Sequence, residues 1–213
     1  MTARANRVAT LTDAAIELIA DGGMRALTHR AVDGRAEVPP GTTSAYLRTR
    51  QALIEAVVGR LAERDRADLA AYNLPTDLPT DPPPPTPAAR LDSGDLDALA
   101  AGVAEVLDRW LSTGRSRSLA RYACLLEAVH RPELRSILQH GTGLRVQARD
   151  LLTRAGATDP DRQGDQFVAF VDGLLFDRLA GAGALTAPPP GSAASRADLS
   201  AAVRTLLRAL TGN

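Results

Sequence analysis

Apolar side chains recur every three or four residues along most of this chain. In the first such stretch they are Val8, Leu11, Ala15, Leu18 and Ile19. This spacing places them on one face of an amphipathic helix. Similar stripes predict nine helices in all, at about residues 4–21, 28–35, 40–47, 50–71, 92–113, 119–129, 132–152, 160–181 and 195–211. No segment alternates as a half-buried strand does, so the predicted fold class is all-α.

Residues typical of helix ends stand at several of these boundaries. Those that favour a helix start are Thr28, Pro40, Asp159 and the capping-box pair Ser195 and Asp198. Gly141 and Gly143 each weaken the helix that begins at Pro132 by about 1 kcal/mol relative to Ala, which predicts either a kink or close packing there. The segment from Pro75 to Pro87 holds seven prolines in thirteen residues. Because proline interrupts helices, we predict an exposed loop over residues 75–90.

Composition narrows the class of protein. Hydrophobic residues make up 45% of the 213 and aromatic residues 3%, which favours helices over a sandwich or barrel. The 25 acidic residues balance 25 basic ones, all Arg, so affinity for nucleic acid depends on a local basic face. The one cysteine, Cys124, excludes an intrachain disulfide and a cysteine-based zinc site. Because no signal-peptide core or apolar stretch of about 18 residues is present, a cytoplasmic location is expected.

The first 60 residues predict a long helix, a short helix, a tight turn at 37–39, a second short helix and another long helix. Two short helices joined by a turn form a helix-turn-helix, whose second helix fits the DNA major groove. Small polar side chains on that helix allow a close approach to base edges. Residues 1–60 carry eight Arg and six acids, a net charge of +2 that a dimer doubles. The candidate DNA contacts are Thr28, His29, Arg30, Pro40, Gly41, Thr42, Thr43, Ser44, Tyr46, Arg48 and Arg50.

The first 60 residues, which we call the head, resemble the helix-turn-helix region of the tetracycline-repressor (TetR) family. The resemblance covers about a quarter of the chain, has no gaps and rests on the runs Leu27-Thr28-His29-Arg30-Ala31-Val32, Val38-Pro39-Pro40-Gly41-Thr42-Thr43 and Leu53-Ile54-Glu55-Ala56-Val57. The start Pro-Pro-Gly-Thr-Thr-Ser of the recognition helix indicates a subgroup. The resemblance implies a non-enzymatic homodimeric repressor that a small-molecule effector releases from a palindromic DNA operator, with no cofactor. It implies a DNA-binding domain at residues 1–50 and a helical ligand-binding and dimerisation domain at 51–213.

The family's scheme also implies two further sites. A ligand pocket would lie among the helices between about residues 92 and 175, and the last two helices would form the dimer interface. The candidate pocket residues are Trp110, Tyr122, Leu126, Glu127, His130, Phe167 and Phe170. The candidate interface residues are Phe170, Gly173, Leu174, Phe176, Leu199, Val203, Leu206 and Leu210.

Several positions depart from the family pattern. Ser44 stands in place of the usual Tyr of the recognition helix, and we expect Tyr46 to take over part of its phosphate role. Asp33 stands where a small apolar residue is usual, and Glu37 where the turn has Gly. A positive φ is costly for Glu, so either the turn is reshaped or Glu37 keeps ordinary angles.

Two other classes of protein stay open. The first is a small-molecule-binding helical protein with impaired DNA reading, which an acidic recognition-helix surface would favour. The second is an all-α enzyme, for which Glu127, His130 and His140 are the candidate titratable groups. A metal site at the two histidines would need further ligands.

Overall fold

The computed structural model describes residues 3–71 and 93–212. Within these ranges the chain forms no strand, a 3-10 helix (Pro132–Gly141) and ten α-helices: α1 (Ala3–Ala26), α2 (His29–Arg35), α3 (Thr42–Tyr46), α4 (Arg50–Ala71), α5 (Ser93–Leu111), α6 (Arg115–His130), α7 (Thr142–Arg154), α8 (Pro160–Ala180), α9 (Gly183–Thr186) and α10 (Ala193–Thr211). The predicted all-α class is confirmed. The loop predicted at residues 75–90 lies outside the described residues. No helix in the described part is long and apolar enough to cross a membrane.

The chain divides into two compact units. The first consists of Met1–Asp65 and Gly114–His140, and the second of Arg66–Thr113 and Gly141–Asn213. The backbone therefore passes from the first unit into the second within α4. The domain boundary predicted after residue 50 concerns function and stays a prediction.

The first unit is built around α1, which packs on α2 and α6. Its buried hydrophobic residues include Leu11, Ala15, Ile19, Leu27, Val32, Leu53, Ile54, Val57, Leu61, Ala120, Cys124 and Ala128. Arg60 of α4 binds Asp13 of α1 at 2.9 and 2.8 Å. Burial favours the neutral acid, but the bonds and charges of Arg60 and Arg64 outweigh it and lower the pKa of Asp13. Burial raises the pKa of Cys124 to about 12, so this residue is a neutral core thiol.

In the second unit, α10 packs along α5 and α7 along α8. The helices α7 and α8 approach so closely at Gly164 that a Cβ there would lie 2.8 Å from the backbone nitrogen of Arg149. The buried carboxylate of Asp108 on α5 accepts the N–H of Gly191 at 2.9 Å and pairs with Arg196 at 3.4 Å. This pairing fixes the loop that leads into α10.

Several predicted helix ends differ from the observed ones. The helix predicted from Pro132 to about residue 152 is two elements, because the chain leaves the 3-10 helix at Gly141 and begins α7 at the next residue. The short helix α9 was not predicted. The hydroxyl of Ser192 accepts the N–H of Ser195 and begins α10, so the predicted capping box was placed three residues too late, and its Asp198 instead pairs with Arg178.

The turn between α2 and α3 has a backbone conformation that usually requires a glycine, although no glycine occupies the position. The N–H of Val38 donates to the carbonyl of Asp33 at 3.0 Å, and that of Glu37 to Gly34 at 3.3 Å. These two bonds form a Schellman motif, which requires a left-handed residue just beyond the helix. Glu37 is that residue, with φ 52°, and it alone among the described non-glycine residues has a positive φ. The turn is therefore not reshaped, and Glu37 carries the strain.

Replacing this residue tests the strain directly. Glu37→Gly is expected to raise the free energy of unfolding by about 1 kcal/mol, because only glycine adopts the left-handed conformation without steric cost. Urea denaturation followed by circular dichroism measures the change. Glu37→Ala is the matched control, since it removes the exposed carboxylate but keeps the Cβ. A gain of stability in both variants would mean that charge, not backbone strain, is the cause.

Candidate nucleic-acid interface and apolar cavity

The five-residue helix α3 begins at a residue that cannot cap it. Its N-cap is Gly41, which has φ 89° and no side chain to accept a hydrogen bond. A carboxylate from α2 takes that place. Asp33 accepts the backbone N–H of Thr43 at 2.7 Å and its hydroxyl at 2.6 Å through Oδ1, and the N–H of Gly41 at 2.7 Å through Oδ2.

Asp33 is ionised although it is only 4% exposed. Burial favours the neutral acid, but the hydrogen bonds from Thr43 and Gly41, together with the charge of His29, lower its pKa below the ordinary value. The anion lies at the N-terminal end of α3, where the helix dipole also stabilises it. In the sequence Asp33 is visible only as a departure from a motif, because these bonds cross a turn whose path the sequence does not show.

A second side chain of α2 contacts the other end of α3. The ring Nε2 of His29 lies 2.6 Å from the carbonyl oxygen of Leu47, the residue that ends α3. Since a carbonyl can only accept, Nε2 carries the proton in this bond. His29 was predicted as a DNA contact, and in the structure this nitrogen is bound within the protein.

The predicted DNA contacts differ in exposure. Those on the surface are Thr28, Arg30, Pro40, Gly41, Ser44 and Arg48, and those half-buried are His29, Thr42, Tyr46 and Arg50. Thr43 is completely buried, so it cannot contact DNA from this position. Arg50 is also committed within the protein, because its guanidinium donates to the carbonyl oxygens of Met24, at 2.6 Å, and Leu27.

The charges around α3 favour an anionic partner. Residues 38–50 contain no acidic residue. Among the described residues, neither Arg30 nor Arg48 pairs with a carboxylate, whereas Arg35 binds both Glu17 and Asp21.

Arg4 of α1 adds a cation beside α3. It lies 5.3 Å from the centre of the Tyr46 ring, within the range of a cation–π interaction. Arg4 was not among the predicted DNA contacts, since nothing in the spacing of the sequence links the start of α1 to α3.

The second unit contains an apolar cavity of about 100 Å³. Its lining residues come from α4, α5, α7 and α8 and are Leu69, Leu99, Val103, Val106, Leu107, Trp110, Leu144, Gln147, Ala148, Leu151, Phe167, Val168, Val171 and Asp172. Only Gln147 and Asp172 are polar. The indole N–H of Trp110 donates to the buried carboxylate of Asp68 at 3.0 Å, which fixes the ring in the wall.

Two of the seven predicted pocket residues, Trp110 and Phe167, line this cavity. The five that do not are Phe170 of α8 and Tyr122, Leu126, Glu127 and His130 of α6, which belongs to the first unit. An apolar stripe on α6 did not reveal to which unit that helix belongs. Glu127 pairs with Arg131 at 2.5 Å, and His130 is exposed. Within residues 3–71 and 93–212, no group of three or more potential metal ligands comes together.

The residues predicted to form the dimer interface also differ in solvent exposure. Phe170 and Phe176 of α8 are 45% and 43% exposed, and Gly173 between them is exposed. Three others, Leu174, Leu206 and Leu210, are half-buried. Leu199 and Val203 are 0% exposed in the core of their own chain, so they are unavailable to a partner. Helical periodicity alone did not distinguish that core from a surface between two chains.

Comparisons with known proteins agree with this architecture. Residues 94–209, just over half of the chain, match the family model "Tetracyclin repressor-like, C-terminal domain". No curated protein matches the sequence. A transcriptional regulator from Rhodococcus sp. Rha1 is 19% identical, with a TM-score of 0.69 over 99% of this chain and 98% of that one.

Two further solved structures are similar over nearly their whole length. A TetR-family member from Streptomyces coelicolor A3 is 25% identical, with a TM-score of 0.65 over 96% of this chain and 98% of its own. The multidrug binding protein EbrR, complexed with ethidium, is 26% identical, with a TM-score of 0.62 over the same shares. The match of the family model over most of the second unit, together with these neighbours, shows that the chain belongs to the tetracycline-repressor (TetR) family.

Proposed function

We propose that this protein is a homodimeric transcriptional repressor that binds a palindromic DNA operator through α3 and leaves it when a small molecule binds. The observation that carries the proposal is the surface of α3 and its flanks. It presents the hydroxyl of Ser44, the phenol of Tyr46 and the guanidinium of Arg48, and residues 38–50 contain no acidic residue. Such groups donate hydrogen bonds to phosphates and base edges in the major groove.

The alternative of a helical binding protein with impaired DNA reading depended on an acidic recognition surface. Two residues suggested it: Asp33 is buried and bonded to Gly41 and Thr43, whereas the carboxylate of Glu37 is exposed. The charge of Asp33 is therefore compensated inside the protein and does not make the surface of α3 acidic. Glu37 adopts the backbone that the family's glycine would take, so the turn also keeps the geometry of a helix-turn-helix. The Pro-Pro-Gly-Thr-Thr-Ser start thus leads into a helix suited to the major groove.

We propose that the effector is a largely apolar molecule that binds in the cavity of the second unit. Twelve of the fourteen lining residues are apolar, and the EbrR structure with ethidium offers an analogy for such a ligand. Drug-sized ligands occupy pockets of about 300–1,000 Å³. A cavity of about 100 Å³ must therefore expand to admit one. Leu69 of α4 is part of the cavity wall, and α4 begins in the first unit. Expansion of the cavity would therefore act on a helix that the two units share.

The proposed dimer interface lies on α8 and α10. The exposed side of α8 carries Phe170, Gly173 and Phe176, and the exposed positions of α10 include Ala194, Ala197, Ala201 and Ala209. Two large aromatic rings beside a glycine and small side chains suit close packing against the same surface of a second copy. Two copies would present two recognition helices to an operator with two-fold symmetry.

The first prediction concerns DNA binding. The protein is expected to bind a duplex taken from the sequence flanking its gene, in a gel-shift or fluorescence-anisotropy titration. Arg48→Ala should weaken this binding about tenfold and lower the slope of log K against log salt by about two for a dimer, because each lost phosphate contact removes about one counterion. Arg162→Ala, which removes an exposed Arg on α8, is the charge-matched control. Equal effects of both variants would argue against a specific role for α3.

The second prediction concerns the cavity. Val103→Trp fills it and is expected to weaken binding of the neutral apolar fluorophore N-phenyl-1-naphthylamine at least tenfold, because the added ring takes the ligand's volume. Ala101→Trp, on the solvent side of the same helix, is the matched control and should bind the probe like the unchanged protein. Undiminished binding to Val103→Trp would place the probe elsewhere.

The third prediction concerns assembly. Phe170→Glu is expected to convert the dimer to a monomer in analytical ultracentrifugation, because a carboxylate buried against an apolar partner surface costs more than the interface can supply. Leu126→Glu is the control, since Leu126 is also exposed, at 60%, but lies on α6. A Phe170→Glu protein that stays dimeric would contradict the proposed interface.

A further inference from the structure

We infer that His29 and Asp33 form a polar clamp that positions α3 from α2 and does not itself contact DNA. This inference rests on the proposed function in one respect, because it assigns α3 to DNA reading. The clamp is defined by the four hydrogen bonds from these two side chains to Gly41, Thr43 and Leu47.

The helix α3 needs such support from outside. It is five residues long, and a helix of that length does not persist alone because nucleation is unfavourable. Its N-cap, Gly41, offers no side-chain acceptor. Local bonds from Thr42 to the Pro39 carbonyl hold only the entry to the helix. The remaining N-terminal donors must therefore find their acceptor in another element.

Asp33 of α2 provides that acceptor, so the cap of α3 comes from a neighbouring helix. An ordinary N-cap side chain accepts the N–H of the second or third helical residue. Oδ1 of Asp33 accepts the N–H of Thr43, which is the second residue of α3, and also its hydroxyl. Oδ2 accepts the N–H of the N-cap residue Gly41. One carboxylate thus satisfies three donors at the start of the helix.

His29 acts at the opposite end. Its Nε2 donates to the carbonyl of Leu47, the C-cap residue of α3. His29 and Asp33 are four residues apart, so they lie on the same face of α2. The clamp therefore places an anion at the positive end of the α3 dipole and a donor at its negative end. Both ends of α3 are held by one surface of one neighbouring helix.

The clamp also decides which groups can reach DNA. The N–H groups of Gly41 and Thr43 and the hydroxyl of Thr43 are bonded to Asp33, so they are not available to a phosphate. Contacts from α3 and its flank then come from the side chains of Ser44, Tyr46 and Arg48. His29 and Asp33 are accordingly positioning residues, and their loss should disturb α3 before it disturbs any contact of their own.

The experiment measures α3 and DNA binding separately. Amide hydrogen exchange by NMR reports the protection of Thr43, Ala45 and Leu47, and fluorescence anisotropy reports the affinity for the operator probe, a duplex from the sequence flanking the gene. Asp33→Ala and His29→Leu are expected to raise exchange at these amides at least tenfold and to weaken operator binding at least tenfold. His29→Gln should restore both quantities to within about threefold of the unchanged protein, because its amide can donate from nearly the position of Nε2.

Arg30→Ala is the matched control on α2. Arg30 is exposed beside His29, and its loss should weaken operator binding while leaving exchange in α3 unchanged. If Asp33→Ala unfolds the head, Asp33→Asn supplies the test, since it keeps one oxygen acceptor and should raise exchange less.

The outcomes separate this inference from the proposed function. Increased exchange in α3 without operator binding by any form of the protein would retain the clamp and reject the DNA-binding role. Weaker operator binding with unchanged exchange would overturn the clamp, because His29 and Asp33 would then act on DNA directly. Unchanged exchange and unchanged binding in Asp33→Ala and His29→Leu would overturn it as well.

Discussion

A five-residue helix has too few internal hydrogen bonds to fix its own direction, and the arrangement of α3 in the first unit depends on how that deficit is met. The deficit is met by polar bonds from α2 rather than by burial alone. The carboxylate of Asp33 is held in an environment that opposes its charge, and three donors compensate for the lost hydration. These bonds act together with the packing of Tyr46 and Leu47 on the hydrophobic core to position α3.

Acidic side chains are also paired elsewhere in the first unit. The chain has as many acidic as basic residues, yet several acids of the head are taken up internally or by arginines of other helices. Asp13 binds Arg60 and Arg64, while Glu17 and Asp21 bind Arg35. What is left around α3 is a modest positive charge. Under the proposed function, such a surface would give weak nonspecific attraction to DNA, so selectivity would come from the side chains of α3 and from the pairing of two copies.

The sequence was sufficient for the all-α class and for most of the helices, because helical periodicity, Thr28 and Asp159 are local signals, but it missed α9 and the division between the 3-10 helix and α7. It also singled out Trp110 and Phe167, which the structure places in one cavity wall. It could not show that Thr43 is buried or that Asp33 and His29 point at α3, because those facts depend on the path of a turn. Leu199 and Val203 were assigned to a dimer surface although they fill the core of their own chain, because helical periodicity does not distinguish that core from an interface.

The cavity wall contains the only tryptophan of the chain, and its indole nitrogen is bonded to the buried carboxylate of Asp68. The fluorescence of Trp110 therefore reports on the cavity wall alone. Occupancy of the cavity or a shift of α4 against α5 would alter the polarity and the hydrogen bond around the indole. Candidate effectors can thus be screened on the unlabelled, unmutated protein, with no second fluorophore of the same kind to obscure the signal.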